Sequence, residues 1–167
     1  MKKISHAEFE KMTLIHSEEF VQLVEDIHLV NAIYTDTTVQ RGIAHLRDSI
    51  IENTIFIDVW GFWKIGMVNV KFINCLFVNV RFDEFYFTYC EFVNTIFNKC
   101  EFKETSFSGC KIEQMVFNEN YNNIYHKTYF DECTFNKSVF EIDKNCELKD
   151  TTFENSITII DGQLTKY

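Results

Sequence analysis

Large apolar residues recur at every fifth position through the middle of the chain: Phe72, Phe77, Phe82, Phe87, Phe92, Phe97, Phe102 and Phe107, continued by Ile112 and Phe117. Two positions before each stands a small or apolar residue, namely Val70, Cys75, Val80, Phe85, Cys90, Thr95, Cys100, Thr105, Cys110 and Met115. A period of five matches neither the 3.6 of a helix nor the 2.0 of a flat strand, so the chain must turn a corner every five residues. Within a unit, residues two apart face the same side of an extended segment, and the remaining residues make the corner. Four such sides close a square coil of about 20 residues.

The units Cys75-Leu76-Phe77-Val78-Asn79 and Cys90-Glu91-Phe92-Val93-Asn94 resemble those of the pentapeptide-repeat protein family. That resemblance implies a mainly β protein, a right-handed quadrilateral parallel β-helix. The same small-then-large pair appears in Ala44/Leu46, Ser49/Ile51 and Thr54/Phe56. After a one-residue shift of phase it returns in Trp60/Phe62 and Ile65/Met67. A second block holds Thr128/Phe130, Cys133/Phe135 and Ser138/Phe140, and a third holds Cys146/Leu148 and Thr151/Phe153. The expected organisation is a short helical cap segment over 1–40, a β-helix over 41–160 and a tail over 161–167. Interruptions are expected near 118–128 and 141–145.

The cap expectation rests on Ser5-His6-Ala7-Glu8, which has capping-box spacing, and on Phe20, Leu23, Val24 and Ile27, which fall on one stripe of a helix starting after Ser17. A helix there would cover the open end of a parallel solenoid, or would bind a partner. Thirteen residues separate Phe117 from Phe130, and the polar, turn-rich stretch between them predicts a projecting loop. Asn120, Tyr121, Tyr125 and His126 are its candidate partner contacts, with a slipped register as the plainer reading.

Residues 20 apart stack in such a coil, so the outer faces can be read directly. Lys71, Glu91 and Lys111 form one ladder of alternating sign, Arg81 meets Glu101, and Asp83 meets Lys103. On another face Leu76, Ile96 and Val116 form an apolar outer stripe, with Phe56 one coil earlier and Val78 beside them. Such a stripe is a partner site if exposed, or core if the helix carrying Phe20, Leu23 and Val24 covers it. Ile157, Ile159 and Ile160 stand where the last coil would expose its core. They are expected to form a homodimer end, which the family resemblance also implies, with a folded-over cap as the alternative.

Composition adds limits to function. The 167 residues are 46% apolar, which is enough for one domain with a core. Lacking an apolar run long enough to span a bilayer, or one behind the first lysines, the sequence predicts a cytoplasmic protein with no membrane association. The six cysteines all fall at inward small positions without a Cys-x-x-Cys pair, so free thiols are expected. A Cys90–Cys110 bridge is conceivable in an oxidising compartment. The five histidines have no ligand spacing, and no nucleophile elbow or phosphate loop is present, so no catalytic residue, metal or cofactor is assigned. Asp83-Glu84 and Asp131-Glu132 read as surface charge, and no basic cluster suggests direct nucleic-acid binding.

The net charge of −9 is unevenly placed. Residues 1–50 carry eight acids against five bases, 55–117 carry seven against six, and 118–167 carry nine against five. The expected function is a non-enzymatic scaffold for another protein. The alternative implied by the resemblance is an acidic DNA mimic that binds DNA gyrase or topoisomerase IV and protects against quinolones or toxins. Against it, mimicry needs negative charge arrayed along a face, whereas the central ladders alternate in sign.

Overall fold

Each five-residue unit forms a short strand and a corner. In the unit beginning at Cys75, Leu76–Val78 is the strand, Cys75 and Phe77 are buried, and Leu76 and Val78 are half-buried. Asn79 then turns the corner at a φ of 52°. The computed structural model describes residues 2–5, 7–8, 23–35, 45–59, 62–63, 66–118, 121–122, 127–142 and 145–166. Across them these units wind into a quadrilateral solenoid of parallel strands.

One central coil illustrates the four faces. Lys71–Ile73 lies on the first, Leu76–Val78 on the second, Arg81–Asp83 on the third and Tyr86–Thr88 on the fourth. Among the described residues the sheets on these faces contain eight, eight, four and seven strands in that order. Phe72 pairs with Phe92, Phe77 with Phe97, Phe82 with Phe102 and Phe87 with Phe107, each 20 residues on. The phase shift before Phe62 is absorbed by one longer coil, in which Phe56 pairs with Phe77.

Inside, the rings stack along the solenoid axis. Phe72–Phe92 centroids are 4.9 Å apart at 3°, Phe77–Phe97 4.6 Å at 5°, Phe82–Phe102 5.1 Å at 8° and Phe87–Phe107 4.6 Å at 16°. Rings on adjoining faces meet edge to face, as with Phe82 and Phe87 at 5.5 Å and 61°. Phe117 leans toward Phe102 at 5.0 Å, where the third face has Asn122 rather than a further Phe in register. Backbone groups at the corners bond between coils, as in Asn74 N–H to the Val93 carbonyl at 3.0 Å.

The N-terminal segment differs from its expected form. Ser5 and Glu8 do form the capping box, with the Glu8 carboxylate accepting from the Ser5 N–H at 2.9 Å, and Ala7 and Glu8 are helical. Beyond them no helix is seen among the described residues, and Phe20 lies outside these. Lys2–Ile4, Leu23–Glu25, Ile27–Val30 and Ile33–Thr35 are strands. Val24 and Leu29, five apart, are inward members of the same repeat and pair with Leu46 and Ile51. Leu23 is exposed on the fourth face. The apparent helical stripe is thus two solenoid units.

Within the expected 118–128 interruption, Tyr121–Asn122 is a strand paired with Glu101 and Phe102 on the third face, and 119–120 and 123–126 lie outside the described residues. Val139–Ile142 likewise runs through the start of the second interruption and pairs with Ile157–Ile160. Within the expected C-terminal tail, Gln163–Lys166 is a strand that returns antiparallel against Ile157–Ile160. Asp161 and Gly162 make the turn with φ values of 47° and 77°, the two positive angles of a tight hairpin.

Two substitutions test this account by urea denaturation. Phe97→Ala is expected to lose about 3–5 kcal/mol, because its ring is buried and stacked. Asn74→Val is expected to destabilise more than Asn74→Gly, because Asn74 has a φ of 53° that a β-branched residue resists and glycine accepts.

Candidate functional site

The strand geometry sorts the side chains. Positions facing inward hold the rings and small residues, while the two flanking positions of each strand project onto an outer face in vertical columns. The outer surface is therefore a fixed grid, with rows about 4.8 Å apart.

Three faces carry charge in pairs of opposite sign. On the first, Lys71 reaches Glu91 at 2.9 Å, and a hydrogen bond of 2.8 Å joins the His28 ring to the Glu52 carboxylate. On the third, Lys103 lies 3.0 Å from Asp83, and Arg81 lies 3.2 Å from Asp83 and 3.6 Å from Glu101. On the fourth, Arg47 meets Glu25 at 3.6 Å and Lys149 meets Asp131 at 3.1 Å. Lys127 also pairs with Glu147. The expected Arg81–Glu101 and Asp83–Lys103 ladders are present, and the Asp83 carboxylate is an ion-pair partner rather than half of a free acid pair.

The second face is different. The register aligns Ile33, Ile55, Leu76, Ile96, Val116, Val139 and Ile157 in one outer column. Ile57 and Val78 form a second column beside it. Ile33 is 60% exposed and Ile96 37%, while Ile55, Leu76, Val116, Val139 and Ile157 are half-buried against their neighbours above and below. The Leu76/Ile96/Val116 stripe is brought together as expected and extended at both ends. One detail is corrected: Phe56 is buried inside, and Ile55 is the outward residue one coil earlier. Val24 points into the core on the fourth face, so it does not cover the stripe.

An amide ladder runs along one edge of this face. Asn53 donates its side-chain amide to Asn31 at 3.2 Å, Asn74 to Asn53 at 3.0 Å, and Asn94 to Asn74 at 2.9 Å. Asp58, Asn79 and Lys99 occupy the corners along the other edge, with Asn79 donating to Asp58 at 2.6 Å. Sequence reasoning missed these ladders, although the asparagines two places after Phe72 and Phe92 were a readable signal.

The remaining candidates separate. Tyr121 is in register with Glu101, whereas Asn120, Tyr125 and His126 lie outside the described residues. Ile157, Ile159 and Ile160 form a strand between Val139–Ile142 and the C-terminal strand, so the chain itself covers this edge of the last coil. Exposed tyrosines Tyr86, Tyr89 and Tyr129 mark the fourth face and its corner.

All six cysteines are free, and five are buried. The Cys75 sulfur lies 3.3 Å from the Ile51 carbonyl and the Cys90 sulfur 3.3 Å from that of Met67. Burial pushes the Cys75 thiol up to about 11 and the Cys100 thiol up to about 12. The neighbouring Cys110 thiol, together with burial, pushes Cys133 up as well. Among the described residues no cluster of His, Cys, Asp or Glu is placed to hold a metal ion, and no helix is long and apolar enough to cross a membrane.

The family model for pentapeptide repeats matches residues 75–114, in eight copies. Among solved structures, a trypsin-treated form of QnrB1, a plasmid-mediated fluoroquinolone resistance protein, is similar at 15% identity and a TM-score of 0.42, covering 81% of this chain and 72% of that one. HetL, a pentapeptide repeat protein involved in heterocyst differentiation regulation from the cyanobacterium Nostoc, is similar at 9% identity and a TM-score of 0.29, covering 87% and 92%. No curated protein matches.

The thiols give a pH prediction. A thiol held neutral by the fold but free to ionise in the unfolded chain stabilises fully below its ordinary value of 9.0. That stability is lost as pH rises from there through about 11 for Cys75 and about 12 for Cys100. The urea midpoint is expected to fall over this window, and a Cys75→Ala/Cys100→Ala variant to fall less steeply. At pH 8 a thiol reagent is expected to react fastest with half-buried Cys146, and with all six only after denaturation.

Proposed function

We propose that this chain, a pentapeptide-repeat protein by its repeats over residues 75–114, is a non-enzymatic scaffold that binds another protein through its outer faces. The observation that carries this reading is how the reactive side chains are used. The buried thiols are turned inward, and ionisation is disfavoured at Cys75, Cys100 and Cys133. The hydroxyls of Thr54, Thr95, Thr105 and Ser138 donate to backbone carbonyls at 3.0–3.3 Å. Potential nucleophiles thereby serve the coil, while the outer grid holds the side chains that a partner can touch.

The DNA-mimic reading asks for a run of negative charge along one face. Lys71 beside Glu91, Arg81 beside Glu101 and Lys149 beside Asp131 cancel such a field locally, which favours the scaffold. The proposal includes a cytoplasmic location and a homodimer formed at the C-terminal end, where Gln163–Lys166 is the exposed outer strand of its sheet.

Purified protein at micromolar concentration is expected to leave DNA gyrase supercoiling unchanged, with or without a quinolone. Inhibition or rescue from the drug would replace the scaffold with the mimic. A photo-reactive residue placed in turn at Glu91, Leu76, Arg81 and Tyr86, one on each of the four faces, is expected to trap a protein from at least one face in expressing cells, and silence at every face would remove the scaffold reading. Sedimentation is expected to give twice the 19.9 kDa chain mass, and a monomer would remove the dimer.

A further inference from the structure

We propose that the second face is a docking strip for one amphipathic α-helix of a partner protein, about 19 residues long, lying along the solenoid axis. This rests on the scaffold reading and names the chemistry of its partner.

Size excludes a broader occupant. The outer column from Ile33 to Ile157 contains seven residues. Six spacings of about 4.8 Å make it about 29 Å long, and a three-residue strand makes it about 10 Å wide. The resulting face of about 290 Å² falls well short of the roughly 800 Å² per partner that a stable dimer buries, so a second copy could not be held by this strip alone. A helix is 10–12 Å across and rises about 1.5 Å per residue, so about 19 residues match both dimensions.

Charge supports the same occupant. On the five strands from Ile33–Thr35 to Val116–Asn118 no outward register position of this face carries a charged residue, in contrast with the ion pairs of the other three faces, and Glu141 beside Val139 is the first charge on the lane. The strip is bounded along one edge by the Asn31–Asn53–Asn74–Asn94 ladder and along the other by Asp58, Asn79 and Lys99. An apolar lane between polar rails complements a helix that is apolar along one stripe and polar on its flanks. It does not complement a lipid surface or a uniformly charged partner.

The probe is a fluorescein-labelled 19-residue peptide of Leu, Ala, Glu and Lys with its leucines at i, i+3, i+4 and i+7. A second peptide of equal composition scatters the leucines around the helix. Fluorescence anisotropy against the full chain is expected to show binding of the first peptide, with a gain of helical circular dichroism, and at least about tenfold weaker binding of the second. Leu76→Glu and Ile96→Glu are each expected to weaken binding about tenfold or more, because either leaves a charge under the helix. Tyr86→Glu, on the fourth face, is expected to leave it unchanged. Thermal transitions verify that each variant is folded, and Ile96→Asn, a gentler change, serves where the glutamate variant is not.

Equal binding of the two peptides, equal loss in Tyr86→Glu, or no binding overturns the proposal. A dimer in sedimentation that Ile96→Glu disperses assigns the strip to a second copy and overturns it too. Photo-trapping from Tyr86 or Glu91 alongside a silent peptide removes the strip while leaving the scaffold standing.

Discussion

Two repeats of nearly the same length coincide along the axis of this molecule. Hydrogen-bonded strands lie about 4.7–4.9 Å apart, and the central phenylalanine rings stack at 4.6–5.1 Å with planes within 16° of parallel. Backbone pairing and ring stacking therefore demand the same coil pitch, and neither is strained to satisfy the other. Everything outside inherits its position from that match. A slip of one residue would turn Phe92 outward and Glu91 inward, so the stack also fixes which side chains reach the surface.

The corners impose the second constraint. Each must pass through a left-handed backbone, which L-residues resist and asparagine and aspartate tolerate best. Asn53, Asn74 and Asn94 answer this need with φ values of 49°, 53° and 50°. Stacked at the coil pitch, their side chains then bond to one another. A backbone requirement has thus produced a polar rail on the surface. Gly66 answers a different constraint, since a Cβ there would lie 2.9 Å from the Tyr86 carbonyl oxygen in the next coil. A side chain at that point would force two coils apart.

The central coils were legible because one residue type marks them at an unvarying interval. Legibility failed where two periods overlap or the interval changes. Leu23, Val24 and Ile27 satisfy a helical stripe, and the five-residue step from Val24 to Leu29 is too short a series to outweigh it unaided. The Asp161-Gly162 pair is a recognised hairpin signal between Ile160 and Gln163, yet a terminal tail seldom invites that reading. The outer stripe was visible from Leu76 to Val116, where coils have 20 residues. Its extensions were hidden by irregular coils, since Val116 pairs with Val139, and Val139 with Ile157. The third face is hardest of all: its strand at Tyr121–Asn122 carries Asn122 in register with Phe102, so the marker residue is missing where the strand persists.

The charge ladders bear on which faces fix register. Opposite charges in adjacent rungs favour the native pairing over a slipped one, but the same pairing cancels the field that would draw a charged partner. A face that fixes register in this way is a poor electrostatic signal. The second face has no such ladder between Ile33 and Val139, and its register is held from beneath by Phe56, Phe77, Phe97 and Phe117. Its outer residues are therefore released from the task of alignment. In a solenoid whose neighbouring coils contact only each other, that freedom can extend over several rungs without weakening any one of them, and it yields a lane free of charge from Ile33 to Val116.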